Sequence, residues 1–395
     1  MFILKNIKNF WKNYKKIIIF FIFWWILINS FAFLSIKRLD LKIGLDKHKP
    51  LSGYGIMSNG RYVNFYSSQE KFEDFTGMHA RRQSRRHLDI AQNGYNNTIN
   101  SRLTNLVYFP LYPLMINLVA SALKINYILA GFLISNICLF ISVVFFYKLL
   151  KIDFETETSK KAILFMLVFP TSFFFTMIYT ESLFLLLSVL VFYFAIKKRW
   201  FLVGILGFLA ATTRVTGILL LFPVLWEYFH AEKKVKPNII YLSLIPFGLI
   251  SFFTYHWYKY GSFFILFEAQ KNWGRQFFNI NNFLPNYSVL PPLAPEMINF
   301  YIEVFFVFLA IIACFFAFKF KIRKSYFIYL LLGTIVPILT GSLESMPRYI
   351  LVLFPMYIVF VNLIKKYNFF NYYLITSVLL LSFFTTLIVN YFWVS

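Results

Sequence analysis

Residues 106–124, LVYFPLYPLMINLVASALK, decide the fold, because this apolar run reads as a segment that does not cross a membrane. Pro110 and Pro113 interrupt the helical hydrogen-bond ladder near its start, and the remainder is short against the roughly 20 residues of a span. Twelve apolar runs can be marked along the chain: 17–36, 106–124, 127–147, 162–178, 182–196, 200–213, 217–229, 239–258, 298–318, 326–342, 347–364 and 371–393. If all twelve cross, the basic clusters Lys148 to Lys161, Lys197 to Arg199 and Lys319 to Lys324 fall opposite the basic N-terminus. Laying 106–124 along the outer interface moves all of them to its side. Sixteen Lys and Arg after the first span then occupy inner loops, and only Arg214, Lys259, Lys271, Arg275 and Arg348 occupy later outer ones. Cytoplasmic loops carry such an excess, and the thirteen basic residues from Lys37 to Lys124 belong to a long loop, which is exempt. The expectation is eleven spans in the cytoplasmic membrane, N-terminus inside and C-terminus outside.

Composition agrees: 59% of the chain is hydrophobic and only 14% charged, against about 25% in a soluble domain. No polar stretch besides 37–105 is long enough to fold apart from the bilayer. We therefore expect one all-α transmembrane domain over residues 1–395, with a large first outer loop over 37–126. The run 17–36 is full span length and lacks a small-residue cleavage site, so it reads as a retained signal anchor. A net charge of +23 does not imply nucleic acid here, since most basic residues flank apolar runs and suit orientation and contact with membrane lipids. Cys138 and Cys314 sit inside apolar runs and read as small buried hydrophobes.

Residues 200–213 span only about 21 Å at 1.5 Å per residue, against a hydrocarbon core of about 30 Å. The turn at Thr213, Arg214 and Val215 should therefore lie below the outer surface, where irregular backbone needs surrounding protein or a water-filled cavity. Other ionisable groups collect on the same side: His87 and Asp89 in RRHLDIAQNGY, Glu181 in FPTSFFFTMIYTESLF, Glu268 and Arg275 with Trp273 in FEAQKNWGR, and Glu344 and Arg348 in GSLESMPRY. Each has a structural alternative. Glu181 suits a helix N-terminus, Arg214 and Arg348 suit ion pairs with Glu181 and Glu344, and His87 and Asp89 suit a solvated loop. Together they suit an anionic, lipid-bound substrate, with arginines on a phosphate and a carboxylate to take a proton from an attacking hydroxyl. No resident cofactor is required, and a divalent metal at the phosphate is left open.

HLDIAQNGY (87–95), VYFPLYPLMI (107–116), FPTSFFFTMIYTESLF (169–184), GFLAATTRVTGILLLFP (207–223), YGSFFILFEAQKNWGR (260–275) and GSLESMPRYILVLFP (341–355) resemble, in order, the bacterial PIG-V-like mannosyltransferase family. The resemblance implies a GT-C glycosyltransferase fold. It also implies inverting transfer of a hexose, usually mannose, from a polyprenyl-phosphate sugar to a glycan, lipid or protein acceptor on the outer face. It makes FPLYP the start of a juxtamembrane helix in the first outer loop. Within the matched motifs Tyr95, Tyr112, Gln270 and Trp273 join His87, Arg214, Arg275, Glu344 and Arg348 as substrate-binding candidates. Family members usually carry Trp-Asp shortly before the first motif, and here Arg82 and Gln83 stand there. Asp89 then becomes the expected catalytic carboxylate, open to the same cavity as Glu181, Arg214 and Arg348; Glu73 or Asp74 is the alternative, and Glu181 is a further catalytic candidate. Two other readings stay open: a transporter or flippase of lipid-linked sugars, and an inactive relative acting as a binding subunit. A transporter would be expected to show internal repeats and mid-membrane polar groups.

Overall fold

The computed structural model describes residues 2–38, 54–56, 62–64, 74–96, 104–271, 275, 276, 278, 295–390, 392 and 394. The helices in the first half are α1 (Phe2–Arg38), α2 (Ser84–Asn93), α3 (Leu111–Leu123), α4 (Tyr127–Asp153), α5 (Thr156–Leu167), α6 (Glu181–Ile196) and α7 (Trp200–Ala211). Those in the second half are α8 (Leu221–Glu232), α9 (Leu244–Tyr260), α10 (Ile265–Gln270), α11 (Pro295–Lys319), α12 (Lys324–Ile338), α13 (Met346–Leu351), α14 (Pro355–Tyr367) and α15 (Phe370–Val389). Among the described residues one short antiparallel pair, β1 (Tyr54–Ile56) with β2 (Tyr62–Asn64), interrupts an otherwise helical architecture, with Gly55 opposite Val63.

Among the described residues, five helical stretches are long and apolar enough to cross a bilayer: Tyr14–Arg38, Tyr127–Asp153, Pro237–Tyr260, Met297–Lys319 and Phe370–Val389. This is the architecture of a multi-pass membrane protein. The other apolar runs form shorter or broken helices. Run 162–178 stops as α-helix at Leu167, run 217–229 begins as a 3-10 turn over Val215–Leu220, and run 347–364 divides into α13 and α14. Helix α3 has 13 residues, about 20 Å, against a hydrocarbon core of about 30 Å. It starts after Pro110 and holds Pro113 in its first turn, where a missing N–H breaks no helical hydrogen bond.

Between α5 and α6 the backbone of residues 168–180 is irregular yet buried throughout. Such backbone needs partners inside the protein. Asn136 Nδ2 donates to the Thr176 carbonyl at 3.2 Å, Ser135 Oγ to the Tyr179 carbonyl at 3.3 Å, and the Ile178 N–H to the His79 carbonyl at 3.1 Å. Arg81, fully buried, donates to the carbonyls of Gly77 and Val389. These bonds seat the first loop on the buried segment and on the end of α15.

Contacts give the bundle two chemically different ends. At one, Arg323 bridges Asp153 and Glu227 at 3.0 and 3.1 Å, Lys198 donates to the Ala231 carbonyl, and Lys148 lies over the Tyr14 ring. Ends of α1, α4, α7, α8 and α12 meet there, so clusters read from sequence as one side do share a side. At the other, Asn390 donates to Ser35, and Tyr260 donates to the Tyr95 carbonyl at 2.9 Å. Both native cysteines are buried, so the chain is a silent background for labelling. Single cysteines at Lys151 and Lys198 should react with an impermeant maleimide from one face of sealed vesicles, and a cysteine at Lys259 from the other. Labelling of all three from one face would contradict this arrangement.

Candidate functional site

Arg214, Arg275 and Arg348 reach one cavity, and two of them, Arg214 and Arg348, meet one carboxylate. Helix α7 ends where the hydroxyls of Thr212 and Thr213 bond back to the carbonyls of Phe208 and Leu209, a local competition that shortens helices. The following 3-10 turn lies so close to α7 that a Cβ on Gly217 would be 2.3 Å from the Ala210 carbonyl oxygen; only glycine fits. Arg214, extended at φ −151°, is thereby turned inward at the end of α7. Arg348 follows Ser345, which adopts the left-handed region at φ +70°, and Pro347, which suits the first turn of α13. A non-glycine residue rarely holds that conformation unless its surroundings impose it. Arg275 donates Nη1 to the Tyr349 hydroxyl at 3.1 Å and Nη2 to the Glu344 carbonyl at 2.6 Å.

The carboxylate is Glu181, in the first turn of α6, where a helix dipole favours negative charge, and it has no solvent exposure. Its Oε1 accepts from Arg348 Nε at 2.7 Å, with Arg348 Nη2 at 2.6 Å and Arg214 Nη1 at 3.3 Å. The Arg214 contact is charge proximity without hydrogen-bond alignment, and Glu181 Oε2 is buried without a partner. Arg348 also packs over the Tyr179 ring at 4.5 Å, and Arg214 and Arg275 pack on the Tyr349 ring at 5.1 and 5.6 Å.

Beside this cluster is a cavity of about 130 Å³, lined by Gln83, His87, Arg214, Arg275, Glu344 and Arg348 among others. Gln270 and Tyr349 also line it. Arg348 Nη1 donates to Gln83 Oε1, so an amide faces the guanidinium. His87 packs edge-on against Tyr108 and Tyr112, and its Nδ1 is buried without a partner. Burial, with the Arg348 and Arg214 charges nearby, pushes its imidazole down to about 3, so it is neutral at pH 7.

Other sequence candidates lie elsewhere. Asp89 does not line the cavity; its carboxylate accepts from Asn93 Nδ2 at 2.9 Å and Asn105 Nδ2 at 3.0 Å. The expectation that it opens beside Arg214 and Arg348 is corrected by helical geometry. In α2, residues two apart project to nearly opposite faces, so His87 faces the arginines and Asp89 faces away, whereas Gln83 and His87, four apart, share a face. Asp74 accepts from the Gly77 N–H and the Thr76 hydroxyl, capping a turn. Tyr112 is fully buried, its hydroxyl bonded to Ser135 and the Gly131 carbonyl. Trp273 and Glu73 lie outside the described residues. Among the described residues no group of three His, Cys, Asp or Glu side chains is arranged to hold a metal ion.

Tyr95 belongs to a second, larger cavity of about 510 Å³ between α2, α3 and α9, lined by Ile90, Ala91, Pro110, Pro113, Leu114 and Phe252 among others. Phe109, which lines the first cavity, packs on Phe252 of the second with ring centroids 4.8 Å apart. Sequence reading missed Tyr349 and Glu303. Glu303 is 3% exposed within α11, and a carboxylate inside an apolar run was the signal that could have found it. No family model matches the chain, and no curated protein does.

Removing one partner of a buried ion cluster strands the others, which typically costs about 3–5 kcal/mol. Glu181→Ala should therefore lower the melting temperature in detergent markedly, and an unchanged midpoint would contradict the bridging role. Burial likewise holds His79 down to about 3, with Arg81 contributing. Unfolded imidazoles take up protons near pH 6.5 while the folded ones do not, so stability is full above that pH and falls as pH drops toward 3. The midpoint should decrease from pH 7 to pH 5, with a shallower slope in His87→Gln; an identical slope in the variant would count against a neutral, buried His87.

Proposed function

We propose that this chain is an eleven-span membrane glycosyltransferase of the PIG-V-like, GT-C type. In this reading it transfers a hexose, mannose by resemblance, from a polyprenyl-phosphate donor to a lipid, glycan or protein acceptor, with inversion, at the outer face of the cytoplasmic membrane. The observation that carries the reading is the convergence of Arg214, Arg275 and Arg348 on one small cavity whose lining, among the described residues, includes a single carboxylate, Glu344. Three guanidinium groups on this cavity, against the carboxylates of Glu181 and Glu344, leave positive charge that a phosphate diester would complement. The neighbouring apolar cavity can accommodate the start of an isoprenoid chain. The ordered motifs of the sequence supply the reaction class, and the placement of the arginines opposite the lysine-rich end supplies the outward orientation.

In this mechanism the arginines hold the donor phosphate and stabilise the charge that develops as the bond from the anomeric carbon to the phosphate oxygen breaks. The acceptor hydroxyl attacks from the opposite side, which inverts the anomeric centre. Neutral His87 can accept or donate a hydrogen bond to the sugar without adding charge. A transporter would place its ionisable groups at mid-depth between related halves; here they lie toward one end of the bundle.

Membranes containing the chain, incubated with polyprenyl-phosphate [³H]mannose, should transfer label to an endogenous acceptor. Arg348→Lys and Arg214→Lys should each lower transfer by about ten- to hundredfold, since lysine keeps the charge but loses the planar double contact, worth roughly 1.5–3 kcal/mol. Wild-type rates in both variants would contradict phosphate binding by these residues.

A further inference from the structure

Resting on that reading, we propose that Glu344 is the general base that takes the proton from the acceptor hydroxyl. The candidates are narrowed by geometry. Gln83, placed against Arg348 inside the cavity, is an amide and cannot accept a proton at neutral pH. Asp89 is committed to Asn93 and Asn105 on the far face of α2. Glu181 is fully buried, with its Oε1 shared between two arginines, and it braces them without lining the cavity. Asp74 caps a turn outside the cavity.

Glu344 differs from all of these. It is half-buried, it lines the cavity, and its position is fixed through its backbone: Arg275 Nη2 donates to its carbonyl, and its N–H donates to Ser342 Oγ at 3.2 Å. Among the described residues no hydrogen bond or ion pair engages its carboxylate, while the main chain behind it is held by the same arginine that faces the donor. Among the described residues the other carboxylate facing this turn is Glu303 of α11, which interacts electrostatically with Glu344 and accepts from the Ser345 backbone N–H. The strained Ser345 at φ +70° sets the turn that sends Glu344 and Arg348 into one cavity from a single short segment.

The step balances within the donor and acceptor. The acceptor O–H proton passes to the Glu344 carboxylate as the oxygen bonds the anomeric carbon. The bond from that carbon to the phosphate breaks, and its electron pair leaves on the phosphate, held by Arg214, Arg275 and Arg348. Proton return to solvent restores Glu344, and no further reactant is needed.

The test compares wild type, Glu344→Gln, Glu344→Asp and Asp89→Asn in membranes supplied with polyprenyl-phosphate [³H]mannose, with transfer and retention of labelled donor measured separately. Glu344→Gln should lower transfer by about 10²- to 10⁴-fold, the usual weight of a general base, while donor retention stays within about twofold. Glu344→Asp should keep more activity than Glu344→Gln. Near-wild-type transfer by Glu344→Gln would overturn the assignment, as would a loss of donor retention in step with transfer or a loss of transfer confined to Asp89→Asn. Absence of transfer in wild type and all variants would instead overturn the glycosyltransferase reading on which the assignment rests.

Discussion

The bridge from Glu181 to Arg348 and Arg214 is the constraint on which the rest of this molecule depends. Burying a carboxylate and two guanidinium groups has a large desolvation cost, recovered only if the charges meet at close range. Close range here requires three separate interruptions of helix to coincide. Residues 168–180 must leave helical geometry so that α6 can begin at Glu181, α7 must stop at Ala211 so that Arg214 turns inward, and Ser345 must take a left-handed conformation so that α13 presents Arg348. Each interruption would be costly if exposed to lipid, and each is packed inside protein.

The same cluster explains why the site is polar without being saturated. Both arginines point to Glu181 Oε1, so Oε2 and Arg214 Nη1 remain without aligned partners. A buried group in that state is strongly driven to find a ligand or water. Stacking on Tyr179 and Tyr349 holds the guanidinium planes in place before any ligand arrives, which lowers the ordering cost of binding an anion. The opposite end of the bundle shows the contrasting design: Arg323 is met by Asp153 and Glu227 together, with Ser325 also bonding Glu227, so its charges are spent on tying α4, α8 and α12.

Much of this was legible in the sequence, and the reasons for success and failure are physical. The shortness of the run before Arg214 placed that residue in a cavity wall, because chain length and rise per residue admit little choice. Pro110 and Pro113 marked where α3 begins. The expectation that Asp89 opens to the cavity of Arg214 and Arg348 failed because it ignored the helical period: once residues 84–93 are a helix, His87 and Asp89 face nearly opposite ways. Counting spans from apolar runs could not see the breaks at Leu167, before Leu221 and after Leu351, since hydropathy reports burial in an apolar medium and not continuity of the backbone. Tyr349 was invisible for a different reason. An aromatic residue in an aromatic-rich chain carries no signal until its stacking partners are in place.

Under the proposed function, the arginine cavity recognises the phosphate of a polyprenyl phosphate. The most direct measurement is native mass spectrometry of the purified full chain in detergent, titrated in parallel with polyprenyl phosphate and with the corresponding neutral polyprenol. Preferential binding of the phosphate, lost in Arg348→Ala, is the predicted result. Equal binding of the phosphate and the alcohol, unaffected by Arg348→Ala, would contradict it.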